Sequence, residues 1–466
     1  MAHSDQVTRD INYSAIAFWS FTLSVVLLPI GLGGDRVVPL GLAQAGLAVS
    51  ALCLMQSPQL LKSTPFFPRL RWALGLLAAV LVWCLVQTLS FVPMNWMHPM
   101  WQETAVVLNG PVVGSISIVP EDALKGLMRL ITYIVGGLLA YILAQDPKRA
   151  KQLIRAFWIT GVIICLYGLI IQVFGLQQIL WFKKWTYQDD LTATFVNRNH
   201  FAIYCGMVLT TGLALLMQSW REMIRKCKPH QRVASIKQWG LNQAMPQVIL
   251  LVLIFDCLVL SHSRAGLTWS LGGMAGYLFF YQLYQRSWLK AMTVLLISGV
   301  LLVVALCIAM QVSDRFATLF DDYSSQTRGQ VYSLTWRMFT DNPWLGYGLD
   351  GFEPEFRLYQ HGMYETFNHA HSDVLESLLD LGAVAGLALW GAIALFLSGL
   401  WHGVRNRRQN GLFPVLALAS SIMVLGHSTV DFDLQIPGVA LTWAVLLGVG
   451  LAQSWPRVEK KTSTLA

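Results

Sequence analysis

The sequence predicts an all-α, polytopic membrane protein of about twelve transmembrane helices with a large outer loop. Three observations carry this. Of its 466 residues, 55% are hydrophobic and 12% charged, against roughly 25% charged in soluble domains. Apolar runs of spanning length recur along the chain. Lys and Arg collect in alternate loops, as the positive-inside rule requires.

Taken in order, spans are expected near 14–33, 37–55, 71–92, 127–145, 153–174, 199–218, 246–261, 265–284, 290–311, 374–400, 412–426 and 436–454. Backbone polar groups in lipid must be satisfied within the segment, so each is read as a helix. A few are shorter than the ~20 residues a span needs, which leaves room for one or two re-entrant segments. The start of the chain, Met1 to Tyr13, is polar, and the first apolar run has no small-residue cleavage site, so no cleaved signal peptide is expected. The chain reads as a single integral membrane domain over 1–466, without repeats.

The charges test this map. With the N-terminus cytoplasmic, the inner loops hold Lys62, Arg69 and Arg71; Lys148 to Arg155; Arg221 to Lys237; Arg286 and Lys290; Arg405 to Arg408; and Arg457 to Lys461. With Arg9 they contain 22 of the 33 Lys and Arg, while 19 of the 25 acids lie outside. One span too many midway would reverse every later loop. The net charge of +8 therefore reflects basic cytoplasmic loops, and no nucleic-acid partner is expected. Six of seven cysteines lie in spans and Cys227 in an inner loop, so no disulfide framework is expected.

The residues able to do chemistry face outward. Outer segments cover about 93–126, 175–198 and the large loop 312–373. Seven of ten histidines fall on this side: His98, His200, His262, His361, His369, His371 and His427. Four clusters mark outer boundaries: Thr194-Phe-Val-Asn-Arg-Asn-His200, Ser261-His-Ser-Arg-Ala-Gly266, Asn368-His-Ala-His-Ser-Asp373 and His427-Ser-Thr-Val-Asp-Phe-Asp433. Arginine at a helix end often only anchors in the headgroups. Arg264 departs from that reading, because it sits in a very short turn followed by small residues that let helices approach. His369 and His371 with Asp373, Asp431 and Asp433 could hold a metal, but no convincing Glu or Cys ligand accompanies them. Ser261 or Ser263 as a nucleophile lacks nucleophile-elbow spacing. Asp256 lies inside a span, where charge is costly; protonation, a polar partner or a cavity would each accommodate it, and a proton relay would suit a small-solute transporter.

Combined, the arginines and an imidazole meet just above the bilayer. Arginine forks onto phosphate oxygens, and a lipid-anchored diphosphate presents its charge at that depth. His371 precedes a helix whose start reads as capped by Asp373 with Glu376 three residues on. The positive helix end disfavours imidazolium and keeps the ring able to accept a proton.

These stretches, with Arg328, Trp336, Asp341-Asn-Pro-Trp-Leu-Gly346 and Gly382, resemble the O-antigen ligase and O-antigen polymerase superfamily in the family's order, over a core region of about 190–390. His427 to Pro437 is similar to a tail found in some members. The resemblance implies a GT-C-type, inverting, metal-independent glycosyltransferase of the bacterial inner membrane, without cofactor, acting on the periplasmic side. Its implied donor is a glycan on undecaprenyl diphosphate, and its implied acceptor is lipid A–core, a growing glycan or a protein hydroxyl. By resemblance, Arg198 and Arg264 bind diphosphate, Arg328 adds a contact from the loop, and His371 deprotonates the acceptor, with His369 as the other candidate. Ser372 stands where the family usually has Asn. Asn197, Asn199, His200, His262, Asp373, His427 and Asp431 are expected to support them.

Overall fold

A computed structural model describes residues 2–57, 66–299, 323–360, 366–407 and 409–455. His361, Lys62, Arg408, Arg457, Lys460, Lys461 and most of the expected span 290–311 lie outside the described residues. The fold is all-α. Its helices are α1 (Ala2–Leu27), α2 (Val37–Met55), α3 (Phe66–Thr88), α4 (Pro99–Val107), α5 (Pro120–Leu143), α6 (Pro147–Val173), α7 (Arg198–Lys226), α8 (Arg232–Trp239), α9 (Met245–Leu260) and α10 (Arg264–Tyr284). There follow α11 (Trp288–Gly299), α12 (Tyr323–Asp341), α13 (Phe352–Tyr359), α14 (Asp373–Asn406), α15 (Leu412–His427) and α16 (Pro437–Ala452). One antiparallel hairpin pairs β1 (Gln178–Ile179) with β2 (Phe182–Lys183).

Among the described residues, eight helical segments are long and apolar enough to cross a membrane: α1 from Tyr13, α2, α3 from Arg69, α5, α6, α7, the α8–α9 unit and α14. The 16-residue α15 and α16 and the less apolar 21-residue α10 occupy expected spans without joining those eight. Among the described residues, connections distant in sequence meet at either end of the bundle. Thr194 Oγ1 donates to the Pro29 carbonyl at one end (2.8 Å), and Gln453 Nε2 to the Ala144 carbonyl at the other (2.6 Å).

Helix α7 is the hub: Phe201 to Val208 and Thr210 and Thr211 are all fully buried or nearly so. It lies among α6, α9, α10 and α15. The approach of α10 follows from a small-residue stripe, Gly266, Ser270, Gly273 and Gly276. A Cβ at Gly266 would lie 2.5 Å from the Ala202 methyl, and one at Gly273 2.2 Å from Met423. Small stripes of this kind are what let membrane helices pack closely.

The expected span at 374–400 is not one uninterrupted helix. Gly382 breaks α14 with φ +75° and ψ 166°. The break frees carbonyls, and Asp341-Asn-Pro-Trp-Leu-Gly346-Tyr-Gly348 fills it. Gly348 N–H donates to Asp380 O (2.9 Å) and Ala383 N–H to Pro343 O (2.7 Å). From α3, Gln87 Nε2 donates to Asp380 O (2.8 Å) and to Leu345 O (2.7 Å), and Trp83 Nε1 to Leu381 O (2.9 Å). Buried backbone groups must find partners, and here the large loop and α3 supply them. The Asp341–Gly346 motif is therefore the plug of a discontinuous helix.

Candidate functional site

Two serines start two site helices. Ser263 caps α10, its Oγ accepting from Gly266 N–H (3.1 Å), and Ser372 caps α14, its Oγ accepting from Leu375 N–H (3.4 Å). The expected cap at Asp373 is thus corrected. Ser372 has extended backbone angles that suit an N-cap, while Asp373 is already helical. Asp373 instead accepts Leu434 N–H (2.9 Å). Glu376 turns back to accept Ala370 N–H (2.8 Å). The residue before each serine, His262 and His371, sits in the left-handed region at φ +52°. Such backbone is uncommon for a non-glycine residue and persists only where its surroundings over-determine it. At His371 the Tyr332 hydroxyl donates to the carbonyl (2.9 Å).

Asp431 is the centre of the assembly and is buried to 1% exposure. An ionised carboxylate only accepts, so the His371 Nδ1–H donates to Oδ1 (3.2 Å) and Asn199 Nδ2 to Oδ2 (2.6 Å). Asn199 Oδ1 in turn accepts the Ser263 hydroxyl (2.7 Å). Asn197 caps α7 through Asn199 N–H (2.8 Å). One chain of side chains, Ser263–Asn199–Asp431–His371, therefore ties together four boundaries that the sequence keeps far apart. Burial alone would push Asp431 up, but the hydrogen bond from His371 and the neighbouring imidazoles hold it well below the usual carboxylate range.

His369 pairs differently. Its Nδ1 meets Glu376 Oε1 at 2.8 Å and its ring stacks on Phe432 at 4.3 Å. Phe432 also packs edge-on against His200 (4.6 Å) and His371 (5.1 Å). Burial works against a charged His369, but the Glu376 carboxylate outweighs it and raises the pKa above the ordinary 6.5. The stabilisation from this pair is therefore fully present below pH 6.5 and lost as pH rises through the raised value. Thermal unfolding should show wild type losing more stability than Glu376→Gln between about pH 6 and 9; equal losses would disprove the linkage.

The diphosphate candidates lie on the α7 and α10 side. Arg198 Nη1 donates to Asp190 Oδ2 (2.8 Å), its guanidinium lies over Tyr187 (5.3 Å), and its buried Nε has no partner. A buried donor left unsatisfied calls for an acceptor. Arg264 is exposed at the start of α10. Arg328 projects from α12 close enough for its charge to act on Tyr187 and Tyr332. His200 is buried, its Nε2 3.9 Å from Asp431. His427 is wholly buried and paired with Asp433 (2.7 Å), which makes it a packing element of the same end. His98 belongs elsewhere, bonded to Glu355 (2.9 Å). Asp256 lies exposed on the outside of α9. The hydroxyls of Ser261 and Ser263 are committed to the Leu258 carbonyl (2.6 Å) and Asn199. Among the described residues no three His, Cys, Asp or Glu side chains converge as metal ligands do.

The sequence reading missed Asp190, Glu376 as the partner of His369, Phe432, and Arg129, which pairs with Asp350 and Gln435. Asp190 stood in plain view beside Asp189, just ahead of the Thr194 motif. Next to the site lies an apolar cavity of about 180 Å³ between α3, α5, α14 and α16, lined at its polar end by Arg129, Asp373, Asp380 and Gln435.

Residues 249–391 match the family described as O-Antigen ligase. The family resemblance read from the motifs holds over this range, which contains Arg264, Arg328, His369 and His371 but not Arg198 or Asp431. The match supports a membrane glycosyltransferase-like enzyme of the O-antigen ligase and polymerase type. No curated protein matches the chain.

Proposed function

We propose, starting from the O-antigen ligase match, that this protein transfers a glycan from undecaprenyl diphosphate to an acceptor hydroxyl on the periplasmic side of the inner membrane, ligating it to lipid A–core. The observation that carries this reading is the Ser263–Asn199–Asp431–His371 chain, which fixes an imidazole beside the helix starts that bear Arg198 and Arg264.

With Nδ1–H held by Asp431, the His371 Nε2 lone pair is left to take the acceptor proton. The acceptor oxygen attacks the anomeric carbon, the bond to the diphosphate oxygen breaks on the opposite face, and the configuration inverts. Arg198, Arg264 and Arg328 hold the leaving diphosphate as its charge grows. The unpartnered Arg198 Nε suits a phosphate oxygen. The adjoining apolar cavity suits part of an isoprenoid chain. His369, committed to Glu376, is the weaker candidate for the base.

Arg264→Lys keeps the charge but loses the planar fork, so transfer is expected to fall about tenfold or more, read as glycan product per enzyme in vesicles. Wild-type turnover in that variant would remove forked binding. A deletion strain examined by gel tests the acceptor. The ligase reading expects loss of all long chains on lipid A with lipid-linked polymer accumulating. Core capped by a single repeat would replace it with a polymerase. Unchanged lipopolysaccharide with glycans lost from protein would replace it with an O-oligosaccharyltransferase. Unchanged glycans with altered solute uptake would overturn the transferase reading, although Asp256, the residue that spoke for transport, does not line the apolar cavity.

A further inference from the structure

Asp190 joins two residues that arrive from different membrane boundaries. Its Oδ2 accepts from Arg198 and its Oδ1 from His262 Nδ1, each at 2.8 Å. The carboxylate is buried to 10% exposure while the His262 side chain is 51% exposed. With Nδ1–H committed to Asp190, Nε2 is the nitrogen left for a ligand. Building on the transferase reading above, we propose that His262 is a further catalytic residue: its imidazolium Nε2–H binds the leaving lipid diphosphate beside Arg198 and protonates it. Asp190 is the positioning residue that sets both.

The geometry is a second Asp–His pair matching Asp431–His371. Both histidines have φ +52° and both precede a serine cap. The Ser263–Asn199–Asp431 chain links the residue after His262 to His371, and in this proposal one imidazole serves the entering hydroxyl and the other the departing oxygen. An inverting displacement puts the entering hydroxyl and the departing oxygen on opposite faces, so a base on the first and a proton donor on the second would assist it from separate places. The charged and titratable groups linked to this pair are Lys184 on the Asp190 carbonyl with Asp189 acting on it, Arg198 with Tyr187 under its guanidinium, Arg264 two residues along from His262, and Arg328 and Asp431, whose charges act on Tyr187. Four of them, Lys184, Arg198, Arg264 and Arg328, are cations, which suits a diphosphate, and a diphosphate bound there favours the imidazolium.

The step balances. The acceptor O–H gives its proton to His371 Nε2 as its oxygen bonds to the anomeric carbon. The bond from that carbon to the diphosphate oxygen breaks with its electron pair passing to oxygen. That diphosphate takes the His262 proton. His371 later releases a proton to water and His262 regains one.

The test is the pH profile of transfer by full-length protein in lipid vesicles, with an undecaprenyl-diphosphate-linked glycan as donor and a separate measurement of donor binding. Wild type should give a bell. His262→Asn suits the site, because Asn tolerates left-handed backbone and its amide can still donate to Asp190. It should lose the alkaline limb and about 10²-fold in rate, with donor binding within about threefold of wild type. His371→Ala should instead lose the acid limb. Asp190→Asn should disturb the alkaline limb and leave the acid limb in place. If His262→Asn keeps a wild-type bell, or only weakens donor binding without changing the profile, His262 is not the proton donor and the transferase reading stands. If wild type transfers nothing from this donor, the reading and the inference fall together.

Discussion

Alanine at His371 is expected to lower glycan transfer by about 10²–10⁴-fold, the range a positioned general base supplies. Folded protein and donor binding should persist, because the side chain is part-exposed and Asp431 keeps the Asn199 amide and the Phe432 N–H as donors. The measurement is product formed per enzyme alongside donor binding. Near-normal transfer would remove His371 from the chemistry and leave His369 as the candidate. The companion change His369→Ala sharpens the comparison: with its imidazole tied to Glu376 and stacked on Phe432, it should act mainly on stability.

The second large effect is structural. Gly382→Ala should prevent α14 from accepting the loop plug. The backbone conformation at φ +75° and ψ 166° is essentially reserved for glycine, and forcing another residue into it costs roughly 1–3 kcal/mol. The added Cβ would also lie 2.3 Å from the Trp344 carbonyl oxygen and 3.1 Å from Gly346 N. Neither can move without releasing the bonds that Asp380 and Ala383 make to the loop. Gly346 meets the same wall from the other side, 2.4 Å from Asp380 O. We expect a sharp fall in folded protein in the membrane and a lower unfolding temperature. A Gly382→Ala protein of wild-type stability would show that the plug does not hold the helix.

Much of this was legible in residue order. Low charge and repeated apolar runs identify membrane helices locally, since each run answers to lipid by itself. Asn197, Ser263, His262 and His371 stood out because polar clusters mark the span boundaries, although Ser263 reads there as a candidate nucleophile and not as a cap. Ser372 was hidden because Asp373 and Glu376 imitate a capping box; only the backbone angles show which residue is half outside the helix. The gap at Gly382 was hidden because nothing in hydropathy distinguishes a broken apolar helix from a whole one.

The sequence by itself determined the class of protein and the helix boundaries where polar chemistry collects. The tertiary structure alone decided which of those residues meet. Asp190 reaches His262 across 72 residues of chain and Asn199 reaches Asp431 across 232. Such pairings depend on the depth and rotation of each helix in the bundle. Those are set by packing such as that of the Gly266–Gly276 stripe against α7 and α15, and a hydropathy pattern fixes a helix's presence without fixing the direction in which any one side chain points.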